Sequence, residues 1–267
     1  MTDKIVFTIL GCGSSGGVPR LGNLWGACDP NNPKNIRRRC SLLIQRISSA
    51  GKTQVLIDTS PDMRSQLLDA KIGALDAVIY THEHADHVHG MDDLRMIVIN
   101  MRKRVRVFAA PSAKASILTR FHYAFETPAG SDYPPILEMN DLPETLLIDG
   151  AGGTIEIQSF DVTHGNISVR AIKVNDVLYT PDISQIVSGS EGEFENLDTW
   201  IIDALRTTEH PSHFSLSDAL AHVERFKPKN AILTNMHFDL DYAKVAEATP
   251  EHVVPAYDMM TIKREIN

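Results

Sequence analysis

The run Thr81-His82-Glu83-His84-Ala85-Asp86-His87-Val88-His89-Gly90 constrains this chain more than any other stretch, because it spaces three imidazoles and a carboxylate as His-x-His-x-Asp-His ahead of a glycine. Residues 77–80 (Ala-Val-Ile-Tyr) predict a short buried strand just before it. Residues two apart in an extended chain share a face, so His82 and His84 leave the strand end pointing the same way and suit one divalent ion. Residues 91–99 predict a helix, and the turn between strand and helix aims Asp86 and His87 at a second ion. A strand before the motif and a helix after it are the context that such a spacing requires.

Composition narrows the class. The 267 residues are 43% hydrophobic and 22% charged, values that support a sizeable core, and without a Pro/Gly/Ser linker or a repeat they predict a single domain over 1–267. No apolar run reaches membrane-spanning length, and the first ten residues read as a strand rather than a leader, so a cytoplasmic protein is expected. Cys12, Cys28 and Cys40 are too few and too irregular for a disulfide framework, which suits a reducing compartment. The net charge of −8 argues against a large nucleic acid as partner and for a small substrate, with a second copy of the chain admitted as a homodimer. The one basic cluster is Arg37-Arg38-Arg39, ahead of a strand at 40–44. Which of the three faces inward stays open; Arg39 is taken as the candidate phosphate contact.

Strands are predicted at 5–10, 41–47, 54–57, 77–80 and 105–109, and helices at 63–70, 91–101 and 112–125. After a polar, Pro-rich stretch at 127–135, strands recur at 154–162, 167–174, 177–180, 200–204 and 231–235, with a helix at 217–226 between the last two. Periodicity alone gives an α/β class.

The His82 to His87 motif resembles the signature of the metallo-β-lactamase superfamily of hydrolases. The resemblance implies a four-layer αββα sandwich and a dinuclear site, with zinc expected and manganese the alternative. By resemblance, His164 at the end of Phe160-Asp161-Val162-Thr163-His164 is the third histidine of the first ion, and Asp182 of Thr180-Pro181-Asp182 is the carboxylate bridging both. Asp58 then fixes the ligand histidines without binding metal. The start Gly11-Cys12-Gly13-Ser14-Ser15-Gly16-Gly17-Val18-Pro19, the runs Asp58-Thr59-Ser60-Pro61-Asp62 and Gly90-Met91-Asp92-Asp93-Leu94-Arg95, and the tail Asp239-Leu240-Asp241-Tyr242 are similar to the phosphodiesterases of bacterial phosphonate-degradation operons. This implies hydrolysis of small, cyclic or nucleotide-like phosphodiesters, and Ser14 and Asp93 enter as substrate-binding candidates. His213, before the helix at 217–226, matches the histidine with which the related tRNA 3′-processing endonucleases protonate the leaving alkoxide. Asp203, ending the preceding strand, is placed to orient it. Ser215 with Asp218 forms a capping box whose helix N-terminus favours an anion, so Ser215 is also a substrate candidate. The catalytic set is His213, Asp203 and Asp86.

Two departures from the branch matter. Relatives read Thr-His-Met-Ser-His-Asp-Leu-Asp where this chain reads Thr234-Asn235-Met236-His237-Phe238-Asp239-Leu240-Asp241. The terminal metal ligand is therefore either Asn235 or His237, two residues on and on the same face, and His237 is the expectation. The cysteine cluster of a structural zinc is reduced to Cys28, and Phe238 replaces its histidine, so no structural zinc is expected. Two other readings remain open to this sequence, a tRNA 3′-processing-type nuclease and a non-catalytic binding or carrier protein of the pyrroloquinoline quinone pathway type.

Overall fold

A computed structural model describes residues 3–266. Along them run strands β1 (Lys4–Gly11), β2 (Ser41–Ser48), β3 (Gly51–Ile57), β4 (Ala77–Tyr80), β5 (Val105–Ala109), β6 (Leu137–Asp141), β7 (Thr145–Ile148), β8 (Ile155–His164), β9 (Ile167–Val174), β10 (Val177–Thr180), β11 (Thr199–Asp203), β12 (Asn230–Thr234), β13 (Val253–Pro255) and β14 (Met260–Glu265). The α-helices are α1 (Met63–Asp69), α2 (Ala85–Val88), α3 (Leu94–Met101), α4 (Pro111–Arg120), α5 (His122–Phe125), α6 (Leu216–Phe226) and α7 (Tyr242–Ala248). None of the described helices is long and apolar enough to cross a membrane.

The described chain divides into two compact units, each built from separate stretches: 3–10, 41–157 and 261–266 in the first, 11–40 and 158–260 in the second. In the first unit the sheet runs β14-β1-β2-β3-β4-β5-β6. An antiparallel hairpin, β2 on β3 from Leu42↔Ile57 to Ser48↔Gly51, leads into parallel pairs β3-β4, β4-β5 and β5-β6. All four residues of β4 are buried, as befits a central parallel strand covered on both faces. The carboxyl ends of β3 and β4 lie side by side, so Asp58 and Thr81-His82 emerge at one edge, where α/β sheets place their ligands.

The second sheet runs β13-β12-β11-β10-β9-β8-β7. Here β8-β9 and β9-β10 are antiparallel, while β10-β11, β11-β12 and β12-β13 are parallel, with Thr180↔Ile202 and Asp203↔Thr234 in register. The carboxyl ends of β8, β10, β11 and β12 thus share an edge and deliver His164, Asp182, Asp203 and Asn235 to it. Alternating burial at the start of β8, Ile155 and Ile157 inward with Glu156 and Gln158 outward, marks a strand with one solvated face. Behind this sheet, fully buried Trp200 packs on Phe194 and Phe226 with ring centroids 5.1 and 6.0 Å away. Burial of each such ring contributes roughly 1.5–3 kcal/mol.

Several expectations are adjusted. The helix predicted at 91–101 opens with a 3-10 turn, Met91–Asp93, because Gly90 is pinned to the preceding loop and the chain leaves it tightly. The helix predicted at 112–125 breaks at Phe121, whose dihedrals (φ −120, ψ 29) are not helical. Strands β6, β7, β13 and β14 and helices α2 and α7 were not expected from the sequence.

Candidate functional site

In the first unit the motif residues gather at the end of β4. The His82 ring lies 4.6 Å from that of His84 and 4.2 Å from that of His87, centroid to centroid, and Asp86 Oδ2 is 3.6 Å from His87 Nε2. His84 holds the N-cap of α2 in extended conformation (φ −65, ψ 151), which starts the helical turn carrying Asp86 and His87. His82 and His87 are fully buried and His84 is exposed. Asp58, also fully buried, organises them: it accepts from Thr81 N (2.8 Å), from Thr81 Oγ1 (2.8 Å) and from His87 Nδ1 (2.7 Å).

These bonds select tautomers. A carboxylate only accepts, so His87 carries its proton on Nδ1 and turns the Nε2 lone pair outward. Thr81 Oγ1 spends its hydrogen on Asp58, so at 3.0 Å it accepts from His82 Nδ1, and His82 likewise presents Nε2 as a donor atom. Outer partners that fix ring tautomer and orientation are what metal-ligating histidines need. Gly90 makes the loop feasible. A Cβ there would stand 2.1 Å from Ser60 O, while Gly90 N donates to Thr59 O and Thr59 N to His87 O, at 2.9 and 2.8 Å.

In the second unit, His164 Nδ1 donates to Ser212 O at 2.5 Å, leaving Nε2 3.6 Å from Asp182 Oδ2. Asn235 Nδ2 donates to Asp182 Oδ1 and lies 3.2 Å from both Asp203 Oδ1 and His213 Nδ1. Asp203 accepts from His213 Nδ1 at 2.8 Å and from Ile183 N at 3.1 Å. Burial pushes the Asp203 carboxyl up to about 7, against the pull of the His213 ring. The His213 ring stands edge-on to His164, 4.4 Å between centroids. It also lines a polar cavity of about 270 Å³ with Gln185, Glu209, His210, Asp218 and His222.

Three candidate residues are placed otherwise than expected. His237 Nδ1 donates to Asp239 Oδ1 at 2.9 Å, and its Nε2 accepts from the Arg20 guanidinium. With both nitrogens engaged, His237 does not fit the role of a metal ligand. Ser215 caps α6: its hydroxyl donates to Asp218 Oδ2 (2.6 Å) and accepts from Asp218 N (3.2 Å), so the capping box forms but the hydroxyl serves the helix rather than a substrate. Asp93 lines a mostly apolar groove beside Met63, Leu67 and Met96, which does not suit a phosphate contact.

The three consecutive arginines diverge. Arg37 is buried, its guanidinium donating to His237 O (3.1 Å) and Leu240 O (2.6 Å); Arg38 pairs with Asp258 at 2.9 Å; Arg39 lies along the glycine turn at Gly17. Arg20, Thr81 and His210 were missed. Thr81 had a usable signal, being the only hydroxyl between the strand and the motif; Arg20 had none beyond following a glycine-rich run.

The chain belongs to the beta-lactamase superfamily: the model of the Beta-lactamase superfamily domain matches residues 53–238. Its fold class is the α/β sandwich of the metallo-β-lactamase hydrolases, as the motif implied. A crystal structure of a diphosphatase from the PhnP family is similar with a TM-score of 0.85 at 29% identity, covering 100% of this chain and 99% of its own. Zn²⁺-bound PqqB from Methylobacterium extorquens shares the fold, with a TM-score of 0.71 at 15% identity over 96% of this chain and 99% of its own. A curated relative from Porphyromonas gingivalis, named octanoyltransferase, is 33% identical over 254 residues, which are 94% of this chain and 50% of the relative. The chain therefore spans about half the length of that protein.

Proposed function

We propose that the chain is a dinuclear, metal-dependent phosphodiesterase acting on small nucleotide-like diesters. The observation that carries the reading is the His213–Asp203 pair, an imidazole fixed through Nδ1 by a buried carboxylate and joined through Asn235 to Asp182. Lactam hydrolysis has no need of so elaborately held an acid, whereas expulsion of a poor alkoxide from phosphorus does.

In this reading His82, His84, His164 and Asp182 would hold one divalent ion, three imidazoles and a carboxylate being a donor set that zinc accepts and manganese tolerates. Asp86 and His87 would serve a second ion. The tautomers set by Thr81, Asp58 and the Ser212 carbonyl leave Nε2 of His82, His87 and His164 as the atoms to ligate, so the residues present fit the group. When bound, such ions lower the pKa of water toward neutrality and offset charge on the nonbridging phosphate oxygens. His213, held through Nδ1 by Asp203, donates from Nε2 to the departing oxygen. Asn235 keeps Asp182 and Asp203 apart in role, bonding to both. Similarity to a PhnP-family diphosphatase over the full chain supports phosphorus chemistry.

The test is a panel of bis(p-nitrophenyl) phosphate, 2′,3′-cyclic nucleotides, lactones and β-lactams against protein loaded with zinc or manganese. Diesters are expected to lead. His213→Ala should lose hydrolysis of alkyl-leaving diesters by on the order of 10²-fold and of aryl-leaving ones much less. Preference for lactams or lactones, or equal losses on both diesters, would remove the reading.

A further inference from the structure

Residues 13–20 carry polar groups that the hydrolytic residues do not use. Gly17 N donates to Ser14 O at 2.8 Å, closing a tight turn in which Gly17 adopts φ 62, and Ser14 N donates to Met236 O at 3.3 Å, which sets the turn beside residues 235–238. The Ser14 hydroxyl is 3% exposed and has no hydrogen-bond partner among the described residues. Arg20 folds back over this turn. A Cβ on Gly16 would stand 3.0 Å from Arg20 Nε and 3.3 Å from its Cγ, so glycine leaves the room the side chain occupies.

Arg20 is held from two further sides. Its guanidinium carbon lies 4.3 Å from the centroid of the Phe238 ring, and one of its NH2 groups donates to His237 Nε2. The Asp239 carboxylate takes the His237 Nδ1 proton, which keeps Nε2 as the acceptor that Arg20 needs. Arg20 Nε is buried and finds no partner among the described residues. Arg39 reaches the same turn, its Nη1 4.0 Å from where a Cβ on Gly17 would be. A planar five-donor fork, stacked on an aromatic face and aimed by a histidine, is arranged to meet a planar or tetrahedral oxyanion.

We propose that Arg20, with the Ser14 hydroxyl and the glycine turn, forms an anion subsite that selects substrates carrying a second ionised phosphate beside the bond to be cut. The proposal rests on the phosphodiesterase reading and adds the substrate class. Its place follows from the chain: His237, the orienting partner of Arg20, is two residues beyond Asn235, which touches Asp182, Asp203 and His213. The subsite flanks the hydrolytic end of the second unit without sharing its side chains. His237 is here a positioning residue, acting through Arg20.

Two measurements on the zinc-loaded full chain test it. Kinetics compare thymidine 5′-(p-nitrophenyl phosphate) with and without a 3′-phosphate; calorimetry compares thymidine 3′,5′-bisphosphate with thymidine 5′-monophosphate. The wild type is expected to favour the doubly phosphorylated member of each pair by about tenfold or more, the range of a charge-assisted bidentate contact. Arg20→Ala should bring both ratios close to one, and Arg20→Lys, which keeps the charge but not the fork, should keep part of them. Absence of discrimination in the wild type, or its full retention in Arg20→Ala, overturns the subsite. Should Arg20→Ala fail to fold, full retention in Arg20→Lys overturns it instead. Binding discrimination that depends on Arg20, with neither ester hydrolysed, would leave the subsite standing and remove the diesterase reading. Hydrolysis without discrimination would do the reverse.

Discussion

Asn235 donates through Nδ2 to Asp182 Oδ1 at 3.1 Å, and the same nitrogen reaches Asp203 Oδ1 at 3.2 Å. Two carboxylates at neighbouring strand ends are thus joined by one amide, on a residue in the left-handed region (φ 58) that asparagine tolerates better than most. Asn235→Ala leaves both acceptors without that donor, at a cost of about 1–3 kcal/mol. Asn235→Asp adds a third carboxylate and is expected to be worse, since like charges sharing a site resist ionisation. Thermal unfolding of the metal-free proteins should rank wild type above Ala above Asp. An Asp variant as stable as wild type would show that the amide hydrogens are not what this position supplies.

Asp58 offers the second prediction. Both its oxygens accept, Oδ1 from Thr81 N and Oδ2 from Thr81 Oγ1 and His87 Nδ1. Asn in its place has one acceptor oxygen, and its NH2 must then face a donor, either the Thr81 amide or the His87 ring. Asp58→Asn should therefore free His87 to take the wrong tautomer and weaken metal binding by roughly 10–100-fold. Chelator competition measures it. An unchanged affinity would mean that His87 does not ligate through Nε2.

What was legible in the sequence were features that act locally. The spacing of His82, His84, Asp86 and His87 needs only a strand end and a turn, and β4 and α2 supply them; Ser215 and Asp218 cap α6 through contacts three residues apart. The central strands, buried along their length, announced themselves as apolar runs. Edge strands did not, because β14 alternates half-buried and exposed positions in Met-Thr-Ile-Lys-Arg-Glu and β6 ends in polar residues. The role of His237 was misread for a different reason. Alternation put it on the same face as Asn235, but Asn235 takes a positive φ that breaks the extended chain, and Arg20, distant in sequence, claims its Nε2.

His222 gives the chain an acid-sensitive point. Its ring stacks on Phe214, 4.5 Å between centroids at 24°, and Nδ1 is buried without a hydrogen-bond partner among the described residues. Burial holds its pKa below the ordinary imidazole value, with the Arg225 charge acting the same way. A base whose folded pKa is depressed binds fewer protons folded than unfolded, so its contribution to stability is present above the unfolded value near about 6.5 and is lost as pH falls through the folded one. His222→Phe keeps the stacking and cannot protonate. Its melting temperature relative to wild type should therefore rise between pH 7.5 and pH 5. A difference that stays constant over that range would show that His222 does not titrate in the way its surroundings dictate.

Arg37 supplies the last prediction, for the strap that carries His237. Its guanidinium, 1% exposed, donates to His237 O, Leu240 O and Asn35 Oδ1, while Asn35 Nδ2 donates to Asp241 Oδ2 at 2.6 Å and Asn35 Oδ1 accepts from Tyr242 N at 2.8 Å. One planar fork thus satisfies two buried carbonyls and fixes the 237–241 segment before α7 begins. Arg37→Met has comparable volume but takes a donor from both carbonyls; His237 O keeps Leu240 N at 3.2 Å, whereas buried Leu240 O keeps only the weak Cys28 Sγ contact, so the main loss falls there at about 1–3 kcal/mol. Arg37→Lys offers a compact ammonium that cannot span the pair in the same geometry, so it should recover only part of the loss. Alongside the fall in melting temperature, amide exchange should accelerate at Leu240 and Tyr242 more than in β10 or β11, because the defect is local to the strap. Uniform acceleration across the second unit would instead mean that Arg37 supports the unit as a whole and does not single out the segment that aims His237 at Arg20.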